Sequence, residues 1–134
     1  MKKKILRRSI CVAALIVAGF IFFRPIPLVS PQHNVEVHGI SYNRENVFDI
    51  IDREEFLEIL SNYNTRRAVI DLPGLFVDDI AWEITLLRES GPVNIILGKN
   101  SFLYTRSARD LIVHRVIDAE ALIAELELLL AQSD

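Results

Sequence analysis

The first 25 residues constrain this chain more than any other segment. The start MKKKILRR is followed by SICVAALIVAGFIFFRP at residues 9–25, and residues 10–23 contain no charged side chain. This run is apolar on every face, whereas a core helix of a globular protein is apolar along one stripe. The segment is therefore interpreted as a membrane anchor or a cleaved signal peptide in preference to a core helix.

The length and flanks of the run distinguish the remaining interpretations. A helix of 14 residues spans about 21 Å, less than the roughly 30 Å hydrocarbon core of a bilayer. Long side chains such as Arg8 and Arg24 can reach the headgroups from either end. Cleavage requires small residues beyond the apolar run, but residues 17–19 lie within it and Ser30 precedes a proline. We expect an uncleaved anchor, and a cleaved signal is the alternative.

Charge is distributed unevenly along the chain. Residues 1–24 contain six basic side chains and no acidic one. The body, residues 25–134, holds all 18 acidic residues and nine of the 15 basic ones, a net charge of −9. Basic flanks stay on the cytoplasmic side, which predicts a bacterial inner-membrane protein with a cytoplasmic N-terminus and a periplasmic body. An acidic body also disfavours nucleic acid as a partner.

The chain is expected to consist of an anchor, a linker and one domain. Residues 1–24 form the basic N-terminus and membrane anchor, and residues 25–34, which contain three prolines, form a stiff extended linker. Residues 35–134 form one extracytoplasmic α/β domain. This domain has no cysteine, since Cys11 is the only one in the chain, so it contains no disulfide.

Three helices are predicted in this domain. Asp52 is placed to cap the first, and Glu55, three residues later, completes a capping box. A stripe of apolar residues predicts the second helix over residues 78–89. The last helix is expected over residues 118–132, with an apolar face towards the sheet formed by Leu122, Leu126 and Leu129.

Short apolar or alternating runs between the helices are typical of strands. They predict strands at residues 35–42, 46–51, 67–72, 93–98, 101–106 and 111–116. The fold class expected from this order is α/β: an N-terminal transmembrane helix followed by one small α/β sandwich with a mixed sheet and about three helices.

The order strand, helix, strand, helix, strand over residues 35–98, behind an N-terminal anchor, resembles in outline the periplasmic domains of the ExbD/TolR family. The anchor of that family carries a membrane-embedded aspartate for proton-driven work. Residues 9–23 of this chain contain no acid, and residues 99–134 have no counterpart in the family's pattern. The resemblance therefore implies no motor role.

Three carboxylates form the most suggestive chemical group. Asp71 is expected to end a strand, and Asp78 and Asp79 to open the next helix, at the sheet edge where α/β proteins bind ligands. Such oxygen ligands suit Mg²⁺ or Ca²⁺. The simpler interpretation is that Asp78 and Asp79 cap a helix and interact with its dipole. We accordingly assign no catalytic, cofactor-binding or metal residue.

The other chemically notable residues have structural interpretations. The histidines His33, His38 and His114 lack metal-ligand spacing, and Trp82 is expected in the core. The carboxylates of the first helix form an acidic face that is either solvated or meets a basic partner; they are Glu54, Glu55 and Glu58.

The expected function is that of a single-pass membrane-anchored protein with a small acidic, non-catalytic periplasmic binding domain acting through protein–protein interaction. An accessory of an envelope complex and an immunity protein for a basic toxin both fit this description. The alternative is a metal-dependent or hydrolytic enzyme with a site near Asp71, Asp78 and Asp79.

Overall fold

Three helices and one eight-stranded sheet make up the part of the chain that the structure describes. The structure is a computed structural model, and it describes residues 2–30, 34–68, 79–106 and 111–133. The helices are α1 (Lys2–Phe22), α2 (Arg53–Ser61) and α3 (Ala119–Ser133). The strands are β1 (Ile26–Pro27), β2 (Glu36–Tyr42), β3 (Glu45–Asn46), β4 (Asn64–Arg67), β5 (Ile80–Arg88), β6 (Gly91–Gly98), β7 (Phe102–Arg106) and β8 (Leu111–Val116).

Every neighbouring pair of strands in the sheet is antiparallel. The strand order is β1-β4-β8-β7-β6-β5-β2-β3, so β5 to β8 form a meander, with β2 beside β5 and β4 beside β8. The predicted α/β class is confirmed. The predicted mixed sheet is wrong, because all seven strand pairs of the described sheet are antiparallel. Short connections suffice for the consecutive pairs from β5 to β8, whereas a parallel pair requires a crossover connection.

The segment predicted as the second body helix is strand β5. Trp82, Ile84 and Leu86 are buried, and they alternate with the more exposed Glu83 and Thr85. This is the two-residue period of a strand, and β5 is hydrogen-bonded to β2 on one side and β6 on the other. The helix prediction over residues 78–89 is wrong because the apolar residues of this stretch also have the spacing of a strand, and pairing with β2 and β6 favours the strand.

The main core lies between one face of the sheet and the two body helices. Its fully buried helix residues are Phe56 and Leu60 of α2 and Leu122 and Leu126 of α3. They belong to the same cluster as buried strand residues that include Ile40, Trp82, Ile84, Ile95 and Leu97. The predicted inward face of α3 is confirmed, since Leu122, Leu126 and Leu129 are all buried.

Local signals placed α2 and the preceding hairpin. The Asp52 carboxylate accepts hydrogen bonds from the backbone N–H groups of Glu54 (2.9 Å) and Glu55 (3.1 Å), which confirms the predicted N-cap. The hairpin from β2 to β3 turns at Asn43 and Arg44. Both residues have a positive φ, as the two central residues of a type I′ turn require.

The proline-containing segment after α1 joins the sheet. Ile26 and Pro27 form edge strand β1 against β4. A proline is tolerated on an edge strand because the side that lacks the N–H has no neighbouring strand to bond to. Leu28 is 0% exposed, and its N–H donates to the Tyr63 carbonyl at 2.8 Å. Val29 is also buried. Four residues of the segment predicted as a linker therefore belong to the sheet and core.

Helix α1 carries its apolar side chains outside this core. Residues 8–18 are all exposed, and Leu15 and Phe20 are 73% and 81% exposed. Only residues 23–25 separate the end of α1 from β1. Within the described residues, no helix has the length and hydropathy needed to cross a membrane, so the predicted transmembrane character of α1 stays a prediction.

Candidate functional site

A hollow of about 500 Å³ lies where α1 meets the sheet. Phe23, at the end of α1, lines one side, and Arg66, Arg67 and Arg115 line it from β4 and β8. These three arginines are called the arginine cluster below. The described lining contains no carboxylate. The described lining of the hollow therefore combines an aromatic wall with three positive charges.

Sheet register brings two of these arginines together. Arg66 on β4 is the direct cross-strand partner of Arg115 on β8, and both side chains are exposed. Directly opposite residues have Cβ atoms about 5 Å apart, and like charges at that spacing destabilise the pair. The arrangement is unfavourable for the isolated fold and favourable for binding an anion.

Arg67 links the cluster to α1. Its guanidinium carbon lies 4.2 Å from the centroid of the Phe22 ring, within the range of a cation–π interaction. This contact holds the last turn of α1 beside β4. The cluster is consequently fixed at the base of the apolar helix.

His114 lies beside the cluster and faces the interior. It is the cross-strand partner of Arg67. Burial, followed by the charges of Arg67 and Arg88, lowers the pKa of His114 below its ordinary value of 6.5. Its Nδ1 atom is buried and has no hydrogen-bond partner within the described residues. A neutral imidazole is therefore favoured in the folded state.

A second, larger hollow of about 920 Å³ adjoins the start of α3. Its polar lining includes Lys99, Arg115, Asp118 and Glu120, so charges of both signs face it. The Ser101 hydroxyl in its wall bonds to the backbone of the β6–β7 turn. Because Arg115 lines both hollows, it lies at the boundary between the arginine cluster and this mixed surface.

The predicted carboxylate site is described for one member only. Asp71 and Asp78 lie outside the described residues. Asp79 is exposed, has a positive φ of 59°, and precedes strand β5 instead of opening a helix. The capping role proposed for it is therefore wrong. Within the described residues, no group of three or more His, Cys, Asp or Glu side chains is placed to hold a metal ion.

The remaining residues singled out from the sequence occupy separate places. His33 lies outside the described residues, and His38 is exposed on β2. Trp82 is 0% exposed, which confirms its core assignment, although it lies on a strand. Its indole Nε1 is buried without a hydrogen-bond partner within the described part of the chain.

The two body helices carry an acidic surface. The exposed glutamates, here called the acidic helical layer, are Glu54, Glu55 and Glu58 of α2 and Glu120, Glu125 and Glu127 of α3. The Tyr42 hydroxyl donates to Glu127 at 3.1 Å, and this hydrogen bond is the main reason that the pKa of Tyr42 is raised. The layer lies on the helix-covered face of the sheet.

Sequence reasoning found half of the acidic layer and missed the arginine cluster. Arg66 and Arg67 are visible as a basic pair, but Arg115 lies 49 positions after Arg66 in the sequence. Only the pairing register of β4 with β8 makes them neighbours. A sequence contains no direct signal for that register, since the two strands are not joined by a hairpin.

No protein-family model, no curated protein and no solved structure matches this chain. The structure also removes the element order on which the outline resemblance to the ExbD/TolR family depends. That order requires a helix at residues 78–89, where the chain forms strand β5.

Proposed function

We propose that this chain is a single-pass membrane-anchored protein whose body is a non-catalytic, protein-binding domain. The exposed apolar surface of α1 is the observation that carries the proposal. Its exposed large side chains are Ile10, Val12, Leu15, Ile16, Val17, Phe20, Ile21 and Phe22, and Phe23, which follows the helix, is exposed as well. Fully burying one such side chain stabilises by about 1.5–3 kcal/mol. A lipid environment covers all faces of a helix at once, as this distribution requires.

The proposed orientation follows from charge. Five of the six basic residues in positions 1–24 precede the apolar run and only Arg24 follows it, and the more basic flank of a span is retained in the cytoplasm. The apolar run is short for a bilayer, and the long side chains of Arg8 and Arg24 compensate by reaching the headgroups. The body then lies on the periplasmic side of a bacterial inner membrane.

The acidic helical layer is the proposed surface for a protein partner. Its six glutamates are exposed on two packed helices, so both helices contribute negative charge to the helix-covered side of the body. Charge of one sign speeds encounter with a partner of the opposite sign and suppresses wrong partners. A basic protein is therefore the expected partner, either a subunit of an envelope complex or a toxin that the body neutralises.

Topology and anchoring are tested by one set of measurements. A reporter that is active only in the periplasm, fused after Asp134, is expected to be active. The protein itself should stay in alkali-extracted membranes at its full mass of 15.3 kDa. Loss of roughly 2–3 kDa with release from the membrane would show a cleaved signal peptide. A fusion that is expressed at full length but whose reporter is inactive would contradict the proposed orientation.

The partner surface is tested by photocrosslinking in intact cells. A photoreactive residue at Glu58 is expected to capture a basic protein, and the same residue at Glu36 on β2 serves as a control outside the layer. Combined Glu54→Lys and Glu55→Lys substitutions should abolish the crosslink through charge reversal. Capture that is unaffected by charge reversal would contradict an electrostatic partner surface, and the identity of the captured protein separates the accessory from the immunity role.

A further inference from the structure

We propose that the arginine cluster binds the phosphate groups of anionic phospholipids, so that the body docks on the bilayer surface at the base of α1. This inference rests on the proposed anchoring of α1. It adds a second membrane contact, made by the sheet mainly through the opposed pair Arg66 and Arg115, because Arg67, the next residue of β4, points to the other face of the sheet and stacks on Phe22.

The electrostatic argument begins with the opposed pair. Arg66 and Arg115 are direct cross-strand partners and exposed, and the described lining of their hollow contains no carboxylate. Arginine guanidinium groups are weakly hydrated planar forks that bind phosphate oxygens in a bidentate manner. Two forks about 5 Å apart at their Cβ atoms can bind one phosphate between them. Binding an anion there removes the repulsion between the two cations.

The position of the cluster favours a lipid as the source of the phosphate. The apolar helix ends at Phe22, which Phe23 follows, and Arg67 stacks on the Phe22 ring at 4.2 Å. When α1 lies in a bilayer, its last turn reaches the headgroup region, and the cluster is held at the same level. Chain connectivity enforces this, because β1 begins at Ile26 and pairs with β4, which carries Arg66 and Arg67.

The arginine cluster is positively charged, whereas the body as a whole is negatively charged. Residues 25–134 have a net charge of −9, so an anionic bilayer repels the body as a whole. The glutamates of the acidic layer lie on the helices, whereas the cluster lies on β4 and β8 beside α1. Attraction at the cluster and repulsion elsewhere would orient the body with its helices away from the lipid. The surface proposed for the protein partner would then stay accessible.

The test uses the full chain in vesicles of neutral lipid, with or without an anionic lipid. In a Cys11→Ser background, a fluorophore attached at Ala68→Cys reports on the hollow, and one at Ala124→Cys reports on the exposed side of α3. A quencher on the lipid headgroup should quench the label at position 68 more strongly when anionic lipid is present. The label at position 124 should show no such increase.

Substitutions then assign the effect to the cluster. Each arginine near an anionic surface is expected to strengthen docking roughly fivefold. Arg66→Gln with Arg115→Gln should therefore abolish most of the lipid-dependent quenching, and the matched Arg44→Gln with Arg53→Gln should retain it. Arg66→Lys with Arg115→Lys keeps the charge without the planar fork and should give an intermediate value.

The outcomes separate this inference from the proposed function. Flotation with neutral and anionic vesicles alike, with equal quenching at position 68, would overturn the lipid site and leave the anchor standing. Failure to float with either vesicle would overturn the anchor and the inference together. A change of fluorescence at position 68 caused by inorganic phosphate in neutral vesicles would assign the cluster to a free anion and overturn the lipid assignment.

Discussion

Arg88 on β5 donates a hydrogen bond from Nη2 to the backbone carbonyl of Leu28, at 2.6 Å. The two residues are 60 positions apart, and the bond ties the segment that follows α1 to the longest strand of the sheet. Partial burial lowers the pKa of Arg88, and the guanidinium stays charged at neutral pH. The first sheet-forming residues of the chain are thus held by a charge-assisted bond.

Removing this bond should destabilise the fold. Arg88→Gln leaves the Leu28 carbonyl without its charged donor, and the expected cost is about 1–3 kcal/mol of unfolding free energy. Urea denaturation of the two proteins measures the difference. Lys99→Gln, which removes a charge from an exposed turn, is the matched control and should change stability by less than about 0.5 kcal/mol. Equal costs for both variants would show that the bond contributes nothing specific.

The start of a stable fragment should lie before residue 26. A fragment of residues 24–134 retains β1 and the buried Leu28, whereas a fragment of residues 34–134 lacks both. A stiff extended linker at residues 25–34, as the sequence predicts, would be dispensable for folding, and the burial of Leu28 contradicts that interpretation. The shorter fragment should unfold at a lower urea concentration or fail to fold cooperatively.

Single substitutions provide a sharper form of this comparison. Leu28→Ala should cost about 2–5 kcal/mol, because it leaves a cavity at a fully buried position. Ile26→Ala, at a side chain that is 41% exposed, should cost clearly less. Similar losses at the two positions would show that Leu28 is not part of the core.

Gly98 is expected to be intolerant of any side chain. A Cβ atom at this position would overlap the backbone carbonyl of Asp79 and lie 3.1 Å from the Ile80 Cα atom. Gly98→Ala should therefore cost about 1–3 kcal/mol or more, because backbone must move to make room. Gly39→Ala is the control, since no atom lies within 4 Å of its added Cβ. Thermal melts of both variants test the contrast.

Stability should fall on mild acidification because of His114. Its pKa is lowered in the folded state by burial and by Arg67 and Arg88, so the unfolded chain binds the proton more readily. The free energy of unfolding should decrease as pH falls through the ordinary value of 6.5 towards the lower folded pKa. His114→Gln should remove this component, and His38→Gln, at an exposed site, should retain it. Urea titrations at several pH values measure how the free energy of unfolding depends on pH. An unchanged pH dependence in His114→Gln would contradict the prediction.

Divalent cations are expected to leave the melting temperature unchanged. A site holding Mg²⁺ or Ca²⁺ at 100 times its dissociation constant would add about 2.7 kcal/mol. For a body of this size, that corresponds to a shift of roughly 10–20 °C. Thermal melts with and without millimolar cation would reveal it. A shift of this size that Asp71→Asn abolishes would favour the enzyme alternative over a binding domain.

Local signals predicted much of the secondary structure. Sequence predicts the Asp52 cap, the inward leucines of α3 and the strands β2, β6, β7 and β8. Each of these features depends on residues that are close to one another in the sequence. The segment at β5 failed because Ile80, Ile84 and Leu87 have helical spacing while Trp82, Ile84 and Leu86 have strand spacing. Hydrogen bonding to the neighbouring strands favours the strand over the helix, and the local sequence pattern carries no information about those neighbours.

The long-range features were not predictable in the same way. Whether Leu28 lies in a linker or in the core depends on Arg88, Tyr63 and β4, all distant in sequence. The meeting of Arg66 with Arg115 depends on register between strands 49 positions apart. These relationships arise from tertiary pairing, so the candidate site at the base of α1 could only be recognised in three dimensions.

The three-residue connection between α1 and β1 limits how far the body can travel. Three extended residues span roughly 10 Å, and β1 fixes their far end to the sheet. If α1 is anchored in the inner membrane as proposed, a body tethered this closely would have no reach across the periplasm, and a partner on the far side would be out of range. Its encounters would be confined to proteins that share the membrane or come to its surface. The search for a partner would then take place largely in two dimensions, by lateral diffusion of the whole protein.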